Sequence, residues 1–236
     1  RTWLSSLRGI LCTGRRQCGL WRRHFPGVDE VHFLPPAIPD RRTVPFPERP
    51  PGGPVRLVTV GTLCRSKGQH EILDTLCGIH VRPLQWDLIG SCEADPEYVR
   101  QLKERIATSG LAGSIRLHGC LPPEACAGIL ERAHLSVSAS RFESFGMAHA
   151  EALARGVPLL AYDAGDLALW IDRGPGAWIM DPGDPEAWRR QLTQLLREPG
   201  ALRPPGSSPR LPARSWEETA NRLWRILHRL KQKPGA

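Results

Sequence analysis

The chain has 236 residues, 41% hydrophobic and 24% charged, enough for one large α/β domain or one ordinary domain with an attached fragment of another. Lys and Arg outnumber Asp and Glu by 32 to 24, a formal charge of +8 that favours anionic partners: nucleotides, phosphates, nucleic acid or an anionic lipid surface. No apolar run approaches the ~18–20 residues of a membrane-spanning helix. The seven cysteines hold no C-x-x-C and no zinc-spaced Cys/His pair, which argues against a disulfide frame or zinc module and for a reduced, cytoplasmic protein.

Residues 1–25 carry six arginines and no acid, a composition suited to peripheral contact with the inner face of a membrane. Within residues 1–40, "LRGILCTG", "RRQCGLWRRHF" and "EVHFLPP" read as strand, helix and strand, the tail of an α/β unit too short for its own core. Proline then crowds the chain, with eight in residues 35–54, so 41–54 reads as a linker. Apolar runs at 55–61, 84–90, 114–119, 135–140, 156–163 and 176–182 predict buried parallel strands. Amphipathic segments at 68–78, 95–109, 122–132, 145–155 and 184–197 predict the helices between them. Asp95-Pro96 and Asp184-Pro185 supply an N-cap carboxylate followed by a proline whose missing N–H costs nothing at the first helical position. The alternation predicts an α/β, Rossmann-like doubly wound parallel sheet over 55–198. A second proline-rich break, 199–214, precedes a helix and tail at 215–236 with a Ser215/Glu218 capping box. Trp216, Ala220, Leu223, Ile226, Leu227 and Leu230 form its predicted docking stripe. Cys64, Cys77 and Cys120 adjoin apolar runs and are expected to be buried or half-buried.

Chemistry concentrates in "SRFESFGMAHAEALARGVPLLAYDAGD", residues 140–166. Glu143 follows a strand end, and "SFG" opens a helix whose free first-turn amides and dipole suit an anion. Treated as helical, the eight residues to Glu151 span ~12 Å, so two carboxylates can grip opposite ends of an extended, hydroxyl-rich ligand but cannot act as a close acid/base dyad. The same glutamates also fit a solvated loop acid and a surface helix residue. "GTLCRSKG" places Arg65 and Lys67 at another strand's carboxyl end, where cations can neutralise a diphosphate or simply face solvent. No G-x-G-x-x-G or P-loop lysine is present. His70-Glu71 reads as a surface pair, and His149 as a packed or solvated helix residue.

Taken together, "VTVGTLCRSKGQHEIL", "WDLIGSCEADPEYVRQLKERIATSGLAGSIRLHGCLP", "LSVSASRFESFGMAHAEALARGVPLLAYDAGDL" and "GAWIMDPGDPEAWRRQLTQLL" resemble, in order and spacing, the C-terminal half of retaining GT-B-fold glycosyltransferases of family 4. The resemblance implies a donor-binding domain at 55–198 that moves a sugar from a nucleotide-diphosphate donor to a hydroxyl acceptor. Glu143 and the Ser144, Phe145 and Gly146 amides would meet the sugar and phosphates, Arg65 and Lys67 the diphosphate, and Glu151 the ribose. Gly119, Cys120 and Leu121 would lie near the base and Gly165 beside the sugar. Front-face attack, with the leaving phosphate taking the acceptor's proton, would need no metal and no cofactor. Thr62 stands where many relatives carry arginine, and Ala164-Gly165 replaces a glycine pair. The acceptor-binding N-terminal domain is represented only by its tail, so the resemblance implies that the chain is a fragment or that a partner chain supplies that half, with a non-catalytic nucleotide-sugar-binding subunit as the alternative. No nucleic-acid-binding motif accompanies the tryptophans.

Overall fold

The computed structural model describes residues 7–28, 30–37, 44–79, 83–171, 176–202 and 215–232. Arg1, the linker residues 41–43, residues 203–214 of the second proline-rich break and the tail 233–236 lie outside them.

The N-terminal run forms β1 (Ile10–Cys12), α1 (Arg15–His24) and β2 (Val31–Phe33), with the two strands paired in parallel. Cys12, Cys18, Val28 and Val31 close a small core between them. The six predicted strands follow as β3 (Val55–Val60), β4 (Leu84–Ile89), β5 (Ile115–Gly119), β6 (Leu135–Ser138), β7 (Leu159–Tyr162) and β8 (Ala177–Met180). They form one parallel sheet in the order β5-β4-β3-β6-β7-β8. The connecting helices are α2 (Gln69–Gly78), α3 (Pro96–Thr108), α4 (Pro123–Leu130), α5 (Met147–Ala154), α6 (Leu167–Trp170) and α7 (Pro185–Arg197). Asp95 and Asp184 accept from the amides of Tyr98 and Ala187, the caps expected from sequence. The single-turn α6 was not anticipated, because four residues are too few to show a period.

Alternate strand residues face opposite layers. Leu57, Trp86 and Leu160 pack against Leu73, Leu102 and Trp188 from α2, α3 and α7. On the other face Val58 and Ile89 meet Leu130 and Ala152 from α4 and α5, while Leu159 and Ala161 meet Leu167. Trp86 is fully buried and donates through Nε1 to Thr59 Oγ1 (3.0 Å), which donates to the Val137 carbonyl (2.8 Å). That chain ties β4, β3 and β6 together at the sheet centre with no polar atom left unpaired.

The last helix, α8 (Trp216–Gln232), starts at the predicted capping box: Ser215 N donates to Glu218 Oε2 (2.9 Å) and Glu218 N to Ser215 Oγ (3.1 Å). It docks on the N-terminal strands, with Thr219 reaching the Pro35 carbonyl and the Arg222 guanidinium lying over the Phe33 ring. The docked face keeps half of the predicted stripe, with Ile226 buried and Leu223 and Leu230 half-buried. Thr219 and Ile226 are buried, whereas Trp216 is 58% and Leu227 52% exposed and Ala220 is exposed too. The N-terminal unit covers the face formed by Thr219, Arg222, Leu223, Ile226 and Leu230 and leaves the flanks of the apolar arc in solvent. Cys77 and Cys120 are exposed, against expectation: each sits at the end of its element, past the layer that would cover it. Among the described residues no helix is long and apolar enough to cross a membrane.

Candidate functional site

In this strand order the chain reverses its direction of travel across the sheet between β3 and β6, which opens a crevice beyond their carboxyl ends. The loop after β3 tightens into a single 3-10 turn, Arg65–Lys67. Gln69, fully buried, anchors that loop by donating to the Thr62 carbonyl (3.0 Å) and accepting from the Tyr98 hydroxyl (3.0 Å). Burial pushes the Tyr98 hydroxyl up to about 12, so it stays a donor. The loop after β6 meets the first one where Arg141 N donates to the Ser66 carbonyl (2.9 Å). Lys67 Nζ then lies 2.5 Å from Glu143 Oε1, both groups half-buried at the mouth of the crevice.

The turn into α5 is built by backbone geometry. Gly146 is left-handed (φ 86°) and α5 starts at Met147. Glu143 is therefore a loop residue, and the helical spacing used to separate it from Glu151 does not apply. A carboxylate pinned by a lysine from another strand replaces that picture. Phe145 is buried and stacks on Trp170 with ring centroids 4.9 Å apart, and Trp170 Nε1 donates to the Phe145 carbonyl (3.1 Å). Its ring thus holds the turn, leaving only its backbone for a ligand. Gly165 (φ 63°) lies under the same turn, where a Cβ would come within 2.1 Å of the Glu143 carbonyl oxygen. His149, in the first turn of α5, is buried behind this cluster. Burial lowers its pKa, the Glu143 charge acting against that and Lys67 with it, so the imidazole is neutral.

Glu151 lies one turn further on and is half-buried; burial raises its carboxyl pKa, opposed by Arg155. Its charge also acts on the Cys126 thiol of α4, which packs with Leu121 and Val60. This side of α5 therefore faces the β5–α4 loop, where Gly119 accepts from Gly90 N (2.9 Å) and Cys120 is exposed. The crevice brings Lys67, Glu143, Ser144, Phe145, Gly146 and Gly165 together at one end, with Glu151, Leu121 and Gly119 at the other. Arg65 is not joined to either group: it is exposed and reaches toward Gln101 of α3 (3.5 Å).

Sequence reasoning missed three supports. Glu71, read as half of a surface pair, takes Arg141 Nε and Nη2 (3.0 Å each) and the Tyr162 hydroxyl (3.1 Å), bracing the β6 loop against α2 and β7. Asp166, almost fully buried, accepts from the amides of Arg15 and Arg16, so the β7–α6 loop caps α1. Gly14, just before that helix, is pressed against the Ser144 carbonyl. The acids and arginines were visible, but their partners lie 70 to 151 residues away and carry no local pattern.

Residues 40–207 match the family described as glycosyl transferases group 1. The chain belongs to that family. This group 1 glycosyl transferase chain is 30% identical over 185 residues to a D-inositol 3-phosphate glycosyltransferase of Corynebacterium urealyticum, covering 74% of the chain and 43% of that relative. It is also 30% identical to the mannosylfructose-phosphate synthase of Agrobacterium fabrum, over 71% of the chain and 39% of the relative. The chain thus spans less than half the length of these two relatives. Its fold is similar to sucrose-phosphate synthase from Thermosynechococcus elongatus (TM-score 0.76, 19% identity, 94% of this chain and 58% of that one). It is also similar to Anabaena Alr3699/HepE in complex with UDP and glucose (TM-score 0.70, 16% identity, 95% and 61%). These structural likenesses show that the chain has the Rossmann-like α/β fold of its GT-B-like neighbours.

Proposed function

We propose that residues 55–198 are the donor half of a retaining, metal-independent family 4 glycosyltransferase that takes a sugar from a nucleotide diphosphate to a hydroxyl acceptor. The observation that carries this reading is the Lys67–Glu143 pair (2.5 Å) set at the sheet's switch point beside the amino end of α5. An ammonium, a carboxylate and a helix start within one crevice match, respectively, a diphosphate, sugar hydroxyls and phosphate oxygens. In the proposed reaction Lys67 and the turn amides stabilise the departing diphosphate, whose oxygen takes the acceptor's proton as the new glycosidic bond forms on the same face. Glu143 orients the sugar through its hydroxyls. Glu151 holds the ribose, with the base against the Gly119–Leu121 loop, and Arg65 would have to swing from Gln101 to reach the phosphates. The neighbour's complex with UDP and glucose supports a donor of this class.

A thermal-shift screen against UDP-, GDP- and ADP-sugars tests the reading without needing an acceptor. At a ligand concentration of about 100 Kd, binding to the folded state alone stabilises by about 2.7 kcal/mol, a rise of roughly 5–10 °C at this size. One base should give that rise and Glu143→Ala should abolish transfer in the assembled enzyme; wild-type transfer by that variant would remove Glu143 from the mechanism. A second reading, a nucleotide-sugar-binding subunit without turnover, is favoured by Arg65, which is exposed and held toward Gln101 rather than joined to the Lys67–Glu143 group. Donor hydrolysis by this chain alone separates the two.

A further inference from the structure

The face of the sheet under α4 is only partly covered. That helix has eight residues, about 12 Å, and its apolar contacts are with Val58, Val60 and Ile89 in the later halves of their strands. The same face carries Arg56, Gln85 and Arg116 near the starts of β3, β4 and β5, with Asp87 level with Val58 and His118 further along β5. With Arg132, just beyond α4, they line a cavity of about 310 Å³ on the side of the sheet away from the crevice mouth.

The charges of this cavity are unbalanced in a specific way. Asp87, its one acid, is 5% exposed and already satisfied: His118 Nε2 lies 2.7 Å from Oδ1 and Gln85 Nε2 donates to Oδ2 (2.8 Å). It is not the counter-ion of the arginines. Among the described residues the guanidinium groups of Arg56, Arg116 and Arg132 have no hydrogen-bond or ion-pair partner. Three planar, permanently charged donor forks around one pocket make the arrangement that binds phosphate oxygens bidentately. Other arginines of the chain also face solvent, but Arg56, Arg116 and Arg132 converge on one cavity.

We propose that this cavity is a second ligand site, separate from the donor crevice, for a phosphate group carried by a soluble compound or a lipid headgroup. The volume is at the lower end of small-molecule sites and suits a phosphorylated compound of about monosaccharide size. The Asp87–His118–Gln85 floor offers fixed polar atoms for hydroxyls beside the phosphate.

The test titrates the full chain with inorganic phosphate and follows its backbone amides by NMR, with Arg116→Gln/Arg132→Gln and Lys67→Gln for comparison. The expected result is shifts at residues 56, 85–87 and 116–118 that saturate, persist in Lys67→Gln and weaken at least tenfold in the double variant. Arg116 and Arg132 are both exposed, so the double variant should melt where the wild type does without phosphate; if it does not, single variants and the wild-type shift map decide. Sedimentation with phosphatidic acid vesicles identifies the source: loss of vesicle binding in the double variant assigns a lipid headgroup, and phosphate binding without vesicle binding assigns a soluble ligand. Shifts confined to the donor crevice, or equal affinity in the double variant with no vesicle binding, would overturn the proposal.

Discussion

Glu151 is a carboxyl whose ionisation the fold works against. Burial holds its folded carboxyl pKa above the ordinary value near 4.5. At acid pH both folded and unfolded chains carry the proton and nothing is lost. As pH rises past the unfolded value the unfolded chain ionises first, so stability falls until the folded value is passed. Glu151→Gln should therefore match the wild type near pH 4 and melt about 1–3 °C higher at pH 7, while binding donor more weakly. A melting difference that is the same at both pH values would show that the carboxylate is not held against its charge. A ribose offering two hydroxyls would satisfy the same group. Glu143 and Lys67 were each recognisable in the sequence as polar residues at strand ends. Their pairing was not, because it joins two loops 76 residues apart.

Elements were read more easily than faces. The six strands and their intervening helices follow from apolar runs and from the Asp-Pro caps, which are local signals. How much of the apolar arc of α8 would dock depended on the surface formed by β1 and β2, and no local pattern reports that. The turn before α5 belongs to the same category, since its shape is set by Gly165 from another loop. Gly165→Ala combines a left-handed backbone with a Cβ driven into the Glu143 carbonyl, and should cost about 2–4 kcal/mol in urea unfolding. Gly110→Ala is the control: its φ is also positive (72°) but nothing lies within 4 Å, so it should cost only about 1 kcal/mol. Equal costs would mean that the β7–α6 turn has room to move away from Glu143.

Across the whole molecule, the N-terminal strands and the six-stranded sheet meet at the buried Asp166 carboxylate on the first amides of α1 and at Gly14 against Ser144. Asp166→Ala leaves two amides without their acceptor, a loss of about 1–3 kcal/mol. Hydrogen exchange should accelerate at Arg15 and Arg16 while β3 and β4 keep their protection; uniform acceleration would make Asp166 a core residue rather than a joint. The joint bears directly on the crevice, because its contacts are neighbours of Glu143. The Lys67–Glu143 pair has a further consequence for discrimination. A lone anion arriving there shares the ammonium with its carboxylate and brings the two negative groups together, giving the carboxylate nothing in exchange. On the proposed reading, a ligand with phosphate at one end and hydroxyls at the other would satisfy both at once, and the closed pair would act as a filter against free phosphate.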